Sequence, residues 1–110
     1  MFDSETPALI YAAIEAEKKK AAEKNGEKFA SAHEGYAVML EEMDEAISEM
    51  ELVKNAMGHL WTYTKQDAYQ TASGEALMVY KRAVALMHET AQLAAMALKF
   101  RDTIGEDGKR

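Results

Sequence analysis

The feature that most constrains the fold is a pair of long repeats in which apolar residues recur every three or four positions. This spacing places them on one face of an α-helix, which has about 3.6 residues per turn. The first repeat extends for about seven turns, and the second keeps a strict three-four alternation, as in a helix-packing seam. The repeats consist of Tyr36, Leu40, Met43, Ile47, Met50, Met57 and Trp61, and of Leu77, Tyr80, Val84, Met87, Ala91, Ala94 and Leu98. We therefore expect two long amphipathic helices.

Capping and breaking residues predict the ends of the first two helices. Thr6 is a suitable cap before Pro7, and proline is favoured at the first helical position. The Asn-Gly pair at 25–26 tolerates a left-handed backbone and is typical of a helix end. Ser31 and Glu34 match a capping box. These signals predict a first, shorter helix over 7–24 and a second helix over 32–63.

The third predicted helix follows the polar segment 65–74. Asp67 and Ser73 are alternative caps within that segment. The apolar pattern ends near residue 104, before a charged tail over 105–110. The expected architecture over 1–110 is therefore a single all-α domain, an antiparallel bundle of one shorter and two long helices, with the third helix over 68–104.

Composition supports the all-α prediction and excludes several classes of protein. The 110 residues include six Gly, one Pro and no Cys, so disulfides and thiolate metal sites are excluded. The first residues have no basic and apolar signal-peptide pattern, and no apolar run approaches the roughly 20 residues needed to span a bilayer. A net charge of −6 argues against nucleic acid or an anionic membrane as a partner. These features are typical of a cytoplasmic protein.

The third predicted helix carries more apolar residues than its seam requires. Val79, Ala83, Leu86 and Ala97 flank the seam. Four of the eight Met residues lie on the seams, and we expect the methionines to fill the core. A bundle of this size has a thin core. We therefore expect the apolar helix faces to pack against further copies of the chain.

The middle of the second predicted helix carries a dense acidic run, LEEMDEAISEM over 40–50. Like charges one turn apart repel by a few tenths of a kcal/mol. Carboxylates one turn apart also supply the oxygen ligands that Mg²⁺ prefers. Two interpretations are open at this point, a solvated acidic face and a metal site.

The two long helices carry polar residues at matching positions beside their apolar stripes. Glu42 and Glu89 each come two positions after a seam residue, and Glu45 and Gln92 each come three positions later. Packed side by side, the helices could turn these four residues towards a common point, as in bundle metal sites. A helical wheel places the acidic run largely opposite the apolar stripe. A metal site therefore requires that face to be covered by the third helix or by a partner chain.

The spacing EExxE at 41–45 followed by ExxQ at 89–92 resembles the EExxE and ExxD signature of the MazG-like all-α nucleoside triphosphate pyrophosphohydrolases. The wider strings HEGYAVMLEEMDEAISEM and ETAQLAAMALKF resemble a small, phage- and Firmicutes-associated branch of that superfamily. The resemblance covers roughly residues 31–101. It implies hydrolysis of a nucleoside triphosphate to the monophosphate and pyrophosphate by a homodimer or homotetramer.

The resemblance also implies roles for particular residues. Glu42, Glu45, Glu89 and the residue at position 92 would hold Mg²⁺, with Mn²⁺ as an alternative. Position 92 is Gln92 where the signature has Asp, so one negative charge is missing and weaker metal binding and turnover are expected. Glu41 is the candidate for polarising the attacking water; otherwise it is an exposed helix carboxylate.

Cationic residues on the third predicted helix are candidates for contacting substrate phosphates. They are Lys81, Lys99 and Arg101. The alternative function is a non-enzymatic helical oligomer, an interaction or regulatory module that keeps the scaffold without turnover. Gln92, the apolar flanks and the small size of the chain favour that alternative.

Overall fold

The computed structural model describes residues 5–107, with side chains described over 5–105, and contains three helices. Helix α1 spans Glu5–Asn25, α2 spans Ala32–Lys65 and α3 spans Tyr69–Asp107. No strand occurs within 5–107. The prediction of an all-α chain with one shorter and two long helices is confirmed. None of these helices has an apolar stretch long enough to cross a lipid bilayer.

Helix α1 begins earlier than the sequence predicted. Its first residue is Glu5, so Thr6 lies inside the helix and is not its cap. An acidic residue in the first turn is favoured by the partial positive charge of a helix N-terminus. The C-terminal end agrees with the prediction, because Gly26 has a left-handed φ of 88° and donates its N–H to the Ala22 carbonyl at 2.9 Å.

Helix α2 begins at its predicted cap. The Glu34 N–H donates to the Ser31 hydroxyl oxygen at 3.1 Å, which satisfies one of the free N–H groups of the first turn. The helix then continues without a break through Gly58 to Lys65. The connection to α3 therefore occupies only residues 66–68.

The start of α3 uses neither of the two predicted caps. The Ala68 carbonyl accepts the Ala72 N–H at 2.9 Å, so Ala68 occupies the cap position and Ser73 lies within the helix. Asp67 instead forms the turn, with a left-handed φ of 55° that Asp tolerates better than most residues. Its Oδ1 accepts the Tyr69 hydroxyl at 2.8 Å.

Helix α3 ends at Asp107, three residues beyond its predicted end at 104. Gly105 lies inside the helix, which costs about 1 kcal/mol relative to Ala. The preceding turn is held in place, because the Thr103 hydroxyl accepts the Phe29 N–H at 2.9 Å and donates to the Lys99 carbonyl at 2.8 Å.

The chain forms two compact units. The first contains α1, α2 up to Met43 and α3 from Thr90. Its centre is the buried ring of Phe29, and a Cβ atom added at Gly35 would lie 2.7 Å from the rings of both Phe29 and Phe100. Glycine is therefore required at position 35 by close packing between α2, α3 and the loop that precedes α2.

The second unit, Asp44–Glu89, is an antiparallel pair formed by the adjoining parts of α2 and α3. Its most buried residues are small: Ala56 is 4% exposed and Ala72 is 9% exposed. Half-buried residues complete the contact. They are Ala46, Glu49, Val53, Leu60, Tyr63, Glu75, Val79, Arg82, Ala83, Ala85, Leu86 and Glu89. Small side chains permit a short distance between helix axes, so the pair packs closely through few large residues.

The predicted apolar stripes do not form the core of this second unit. Ile47, Met50 and Trp61 on α2 are exposed, as are Val84 and Met87 on α3. The side chains that pack are those one position earlier in the sequence, about 100° around each helix. The expectation that the methionines fill the core is wrong for Met50, Met57, Met78 and Met87, which are 42–62% exposed.

Candidate metal centre

The acidic residues of α2 lie on two faces of the helix. Glu42 and Glu49 belong to the half-buried face, seven residues or about two turns apart, whereas Glu45 is exposed beside them. The face that the sequence analysis assigned to solvent is therefore partly covered, and in the second unit it is α3 that covers it. Glu89 is the half-buried residue of α3 that completes the acidic group.

Three carboxylates converge. Glu42, Glu45 and Glu89 each offer one oxygen, and these oxygens all lie within 4.8 Å of one another. Glu45 and Glu89 are brought together by the antiparallel pairing within the second unit, and Glu42 precedes Glu45 by one turn of the same helix. We name this group the carboxylate cluster.

The carboxylate cluster contains a hydrogen bond between two acidic groups. The contact with Glu89 raises the pKa of Glu45 above its ordinary value of 4.5, and desolvation and the charge of Glu89 act in the same direction. A hydrogen bond between two carboxyl groups requires a proton on one of them. A proton on Glu45 therefore reduces the repulsion between the two groups.

Two carboxylate oxygens of this region are buried without a hydrogen-bond partner among the described residues. They are Oε2 of Glu49 and Oε2 of Glu89. A buried charged oxygen of this kind is costly unless it is protonated or binds a cation. Glu49 was not among the predicted ligands, although its spacing of seven residues from Glu42 places both on one helix face.

Two facing pairs of residues show how α2 and α3 are aligned in the second unit. Glu45 contacts Glu89, and His59 approaches Glu75 at 4.0 Å. His59 lies 14 residues after Glu45, and Glu75 lies 14 residues before Glu89, as expected for antiparallel helices. Gln92 is half-buried on α3, three residues after Glu89. Glu41 is exposed on α2.

The three predicted phosphate-binding cations do not lie together. Lys81 is exposed on α3 in the second unit. Lys99 and Arg101 line a cleft in the first unit that no residue of the carboxylate cluster lines. Lys99 is buried, with Nζ 4.5 Å from the centre of the Phe29 ring, and Arg101 is exposed.

Comparisons of the chain with profiles of known protein families, with characterised proteins and with solved structures return no match. The resemblance to MazG-like pyrophosphohydrolases therefore stays a prediction from the motif.

Proposed function

We propose that the chain is a Mg²⁺-dependent nucleoside triphosphate pyrophosphohydrolase whose metal ligands are Glu42, Glu45 and Glu89. The observation that carries this proposal is the convergence of three carboxylate oxygens within 4.8 Å. The sequence resemblance predicts these three residues as ligands on independent grounds. Cleavage between the α- and β-phosphates would give the monophosphate and pyrophosphate.

The donor chemistry of the carboxylate cluster fits a hard divalent cation. All three donors are carboxylate oxygens, which suit Mg²⁺ and Mn²⁺ better than softer metals. The buried Oε2 of Glu89 supports the same interpretation, because it has no hydrogen-bond partner among the described residues. When bound, Mg²⁺ would offset charge on the phosphate oxygens and lower the pKa of a coordinated water.

The protein side chains would prepare this chemistry in two ways. The contact with Glu89 raises the pKa of Glu45, so a cation that binds here would compete with a proton on Glu45, and metal binding and proton release would be coupled. Glu41, exposed at the adjoining position of α2, is proposed to accept a hydrogen bond from the attacking water and orient it.

Gln92 is proposed as the fourth, neutral member of the site. Its amide oxygen can accept a hydrogen bond or bind a cation, but it lacks the charge of the Asp in the signature. The reduced negative charge predicts weaker Mg²⁺ binding and slower turnover than a site with four carboxylates.

We propose in addition that the working form is a homodimer or homotetramer. Large apolar side chains of α2 and α3 are exposed, among them Trp61 at 60% and Tyr80 at 66%. Exposed apolar side chains of this size are typical of surfaces that contact another protein. The exposed apolar stripes of α2 and α3 are the surface that we expect a second copy to cover.

A second candidate is a non-enzymatic helical oligomer. The specific observation that favours it is Gln92, together with the large exposed apolar surface. In this case the carboxylate cluster would be what remains of a metal site, or would bind a cation for stability alone.

The deciding experiment is a hydrolysis assay over a panel of ribo- and deoxyribonucleoside triphosphates, with separate detection of pyrophosphate and phosphate. We expect pyrophosphate release that requires Mg²⁺ or Mn²⁺ and is lost in Glu89→Gln. Glu51→Gln is the matched control, because Glu51 is an exposed carboxylate of α2 outside the carboxylate cluster. Glu51 approaches Lys54 at 3.7 Å. Metal-dependent stabilisation without any nucleotide hydrolysis would support the non-enzymatic candidate.

A further inference from the structure

The first unit contains a cleft of about 660 Å³, a volume within the range of small-molecule sites. Five of its lining residues are cations and three are acidic, whereas the whole chain has 13 cationic and 19 acidic residues. The cations are Lys18, Lys19, Lys28, Lys99 and Arg101. Positive charge is therefore concentrated at one concave surface of an acidic protein.

One carboxylate in the cleft is shared by several of these cations. Asp102 pairs with Lys18 at 3.0 Å, and Arg101 approaches it at 4.0 Å. The hydrogen bond from Lys18 lowers the pKa of Asp102, and the charges of Lys18, Arg101 and Lys28 contribute in the same direction. With Glu15 and Glu27, the lining carries three acidic side chains against five cationic ones, so its formal net charge is +2.

Lys99 is the least exposed cation of the cleft. It is 5% exposed, with Nζ 4.5 Å from the centre of the Phe29 ring. A cation over an aromatic face gains roughly 0.5–2 kcal/mol. Lys99 therefore combines a stem packed within the first unit with a position in the lining of the cleft, where its positive charge is available to an anionic ligand.

Helix C-termini attract cations, and α1 ends at Asn25 beside the cleft. This effect accounts for basic residues in the last turn and in the loop that follows. It does not account for Lys99, which lies two turns before the end of α3 and is packed on a ring.

We propose that this cleft binds the phosphate group of a phosphorylated small molecule, with Lys99 and Lys28 as the principal cations. The volume exceeds what a phosphate ion alone requires, and the non-ionic part of the lining, which includes Ala22, Gly26 and Gly105, leaves space for an organic body. The proposal does not depend on hydrolysis at the carboxylate cluster, whose residues do not line the cleft.

The test is a titration of the full chain by ¹⁵N–¹H NMR in buffer that contains EDTA, so that no divalent metal contributes. The probes are ribose 5-phosphate, inorganic phosphate and uncharged ribose. We expect ribose 5-phosphate to shift backbone amides within 26–28 and 99–105, and ribose to shift none of them. Tighter binding of ribose 5-phosphate identifies an organic phosphate as the ligand class, whereas equal binding of both anions identifies free phosphate.

Lys99→Met should weaken ribose 5-phosphate binding by about tenfold while keeping an apolar stem on Phe29. Lys28→Gln, at an exposed position, should also weaken binding without a risk to folding. Lys54→Gln is the matched control on α2 outside the cleft. No shift at millimolar ribose 5-phosphate, shifts confined to residues outside the cleft, or equal affinity in Lys28→Gln and Lys54→Gln would each overturn the proposal.

Discussion

At the scale of single residues, the contact between Glu45 and Glu89 links the carboxylate cluster to pH. The folded state favours a proton on Glu45, because the hydrogen bond with Glu89 raises its pKa above 4.5. In the pH range just above 4.5, the folded protein therefore binds more protons than the unfolded chain. Within that range the free energy of unfolding should fall as the pH rises.

We expect the melting temperature of the metal-free wild type to rise, relative to Glu45→Gln, when the pH is lowered from 7 towards 5. In the variant, the amide introduced at position 45 would donate to Glu89 at every pH, so this contribution to the pH dependence should vanish. Glu51→Gln should keep the wild-type profile. The Lys18–Asp102 pair has the opposite pH dependence, because its contribution to the free energy of unfolding is lost as the pH falls. That loss occurs only below pH 3.8, since the pKa of Asp102 is lowered from that value. Parallel curves for wild type and Glu45→Gln would contradict the shared proton.

Divalent metal should replace that proton. We expect millimolar Mg²⁺ or Mn²⁺ to raise the melting temperature of the wild type at pH 7, by mass action on the folded state. Glu42→Gln should raise the stability of the metal-free protein slightly, because it removes one repelling charge, and should abolish the response to metal. A wild-type melting curve that Mg²⁺ leaves unchanged would remove the main support for the proposed site.

The substitution Gln92→Asp should have different effects under the two candidate functions. In a weakened pyrophosphohydrolase, Gln92→Asp restores a fourth carboxylate, so Mg²⁺ binding should tighten and turnover should rise, about tenfold for each 1.4 kcal/mol gained in the transition state. In a non-enzymatic protein the same change adds only repulsion. The variant would then melt at a lower temperature without metal and show no hydrolysis. Metal titration and the pyrophosphate assay on one protein preparation distinguish these results.

At the scale of helices, the two glycines of α2 differ in how closely other residues pack against them. At Gly35 an added Cβ would lie 2.7 Å from the rings of Phe29 and Phe100, whereas at Gly58 nothing lies within 4 Å. Both residues are inside the same helix, where Gly has a lower helix propensity than Ala. A difference between the two Gly→Ala substitutions in the free energy of unfolding therefore reports the packing around each position.

We expect Gly35→Ala to destabilise the protein by about 1–3 kcal/mol, because the rings have to move to accommodate the methyl group. Gly58→Ala should instead stabilise it by up to about 1 kcal/mol through helix propensity. Denaturant unfolding of the two variants and the wild type at one protein concentration provides the comparison. Equal effects at the two positions would show that the first unit does not pack tightly around Phe29.

At the scale of the whole molecule, the main issue is the apolar surface that a single chain leaves exposed. Apart from the half-buried Leu98, the large side chains of the predicted stripes on α2 and α3 are 40–66% exposed, among them Trp61 at 60% and Tyr80 at 66%. Large apolar side chains with this exposure are typical of a contact with another protein. A second copy is the partner that we expect.

Val84→Glu should weaken this association, because it places a charge in the centre of the α3 stripe. We expect light scattering to give at least twice the 12.2 kDa of one chain for the wild type at micromolar concentration, and a smaller mass for the variant. Asn55→Glu is the control, since Asn55 lies on the polar face of α2 away from the stripe. A wild-type mass of 12.2 kDa would show that the stripes have another role.

The positions of the three helices, and several of their ends, follow from local sequence signals. Apolar spacing, the Ser31 cap and Gly26 are local signals, because a helix is built from contacts within four residues. Glu42 and Glu45 were predictable neighbours, since a spacing of three residues along a helix places side chains on neighbouring positions. Glu89 was predicted from its matching position on the other long helix and from the resemblance. Glu49 was missed because its burial depends on α3.

Which face of each long helix is buried depends instead on how the helices pack against each other. Two faces about 100° apart compete, one with large apolar residues such as Met50 and one with small or acidic residues such as Ala46 and Glu49. Hydrophobicity alone favours burying the first. The helices of one chain instead approach through the second, where alanines permit close contact, and the large residues remain on the outer surface. That choice depends on contacts distant in sequence, so the pattern along one helix cannot determine it.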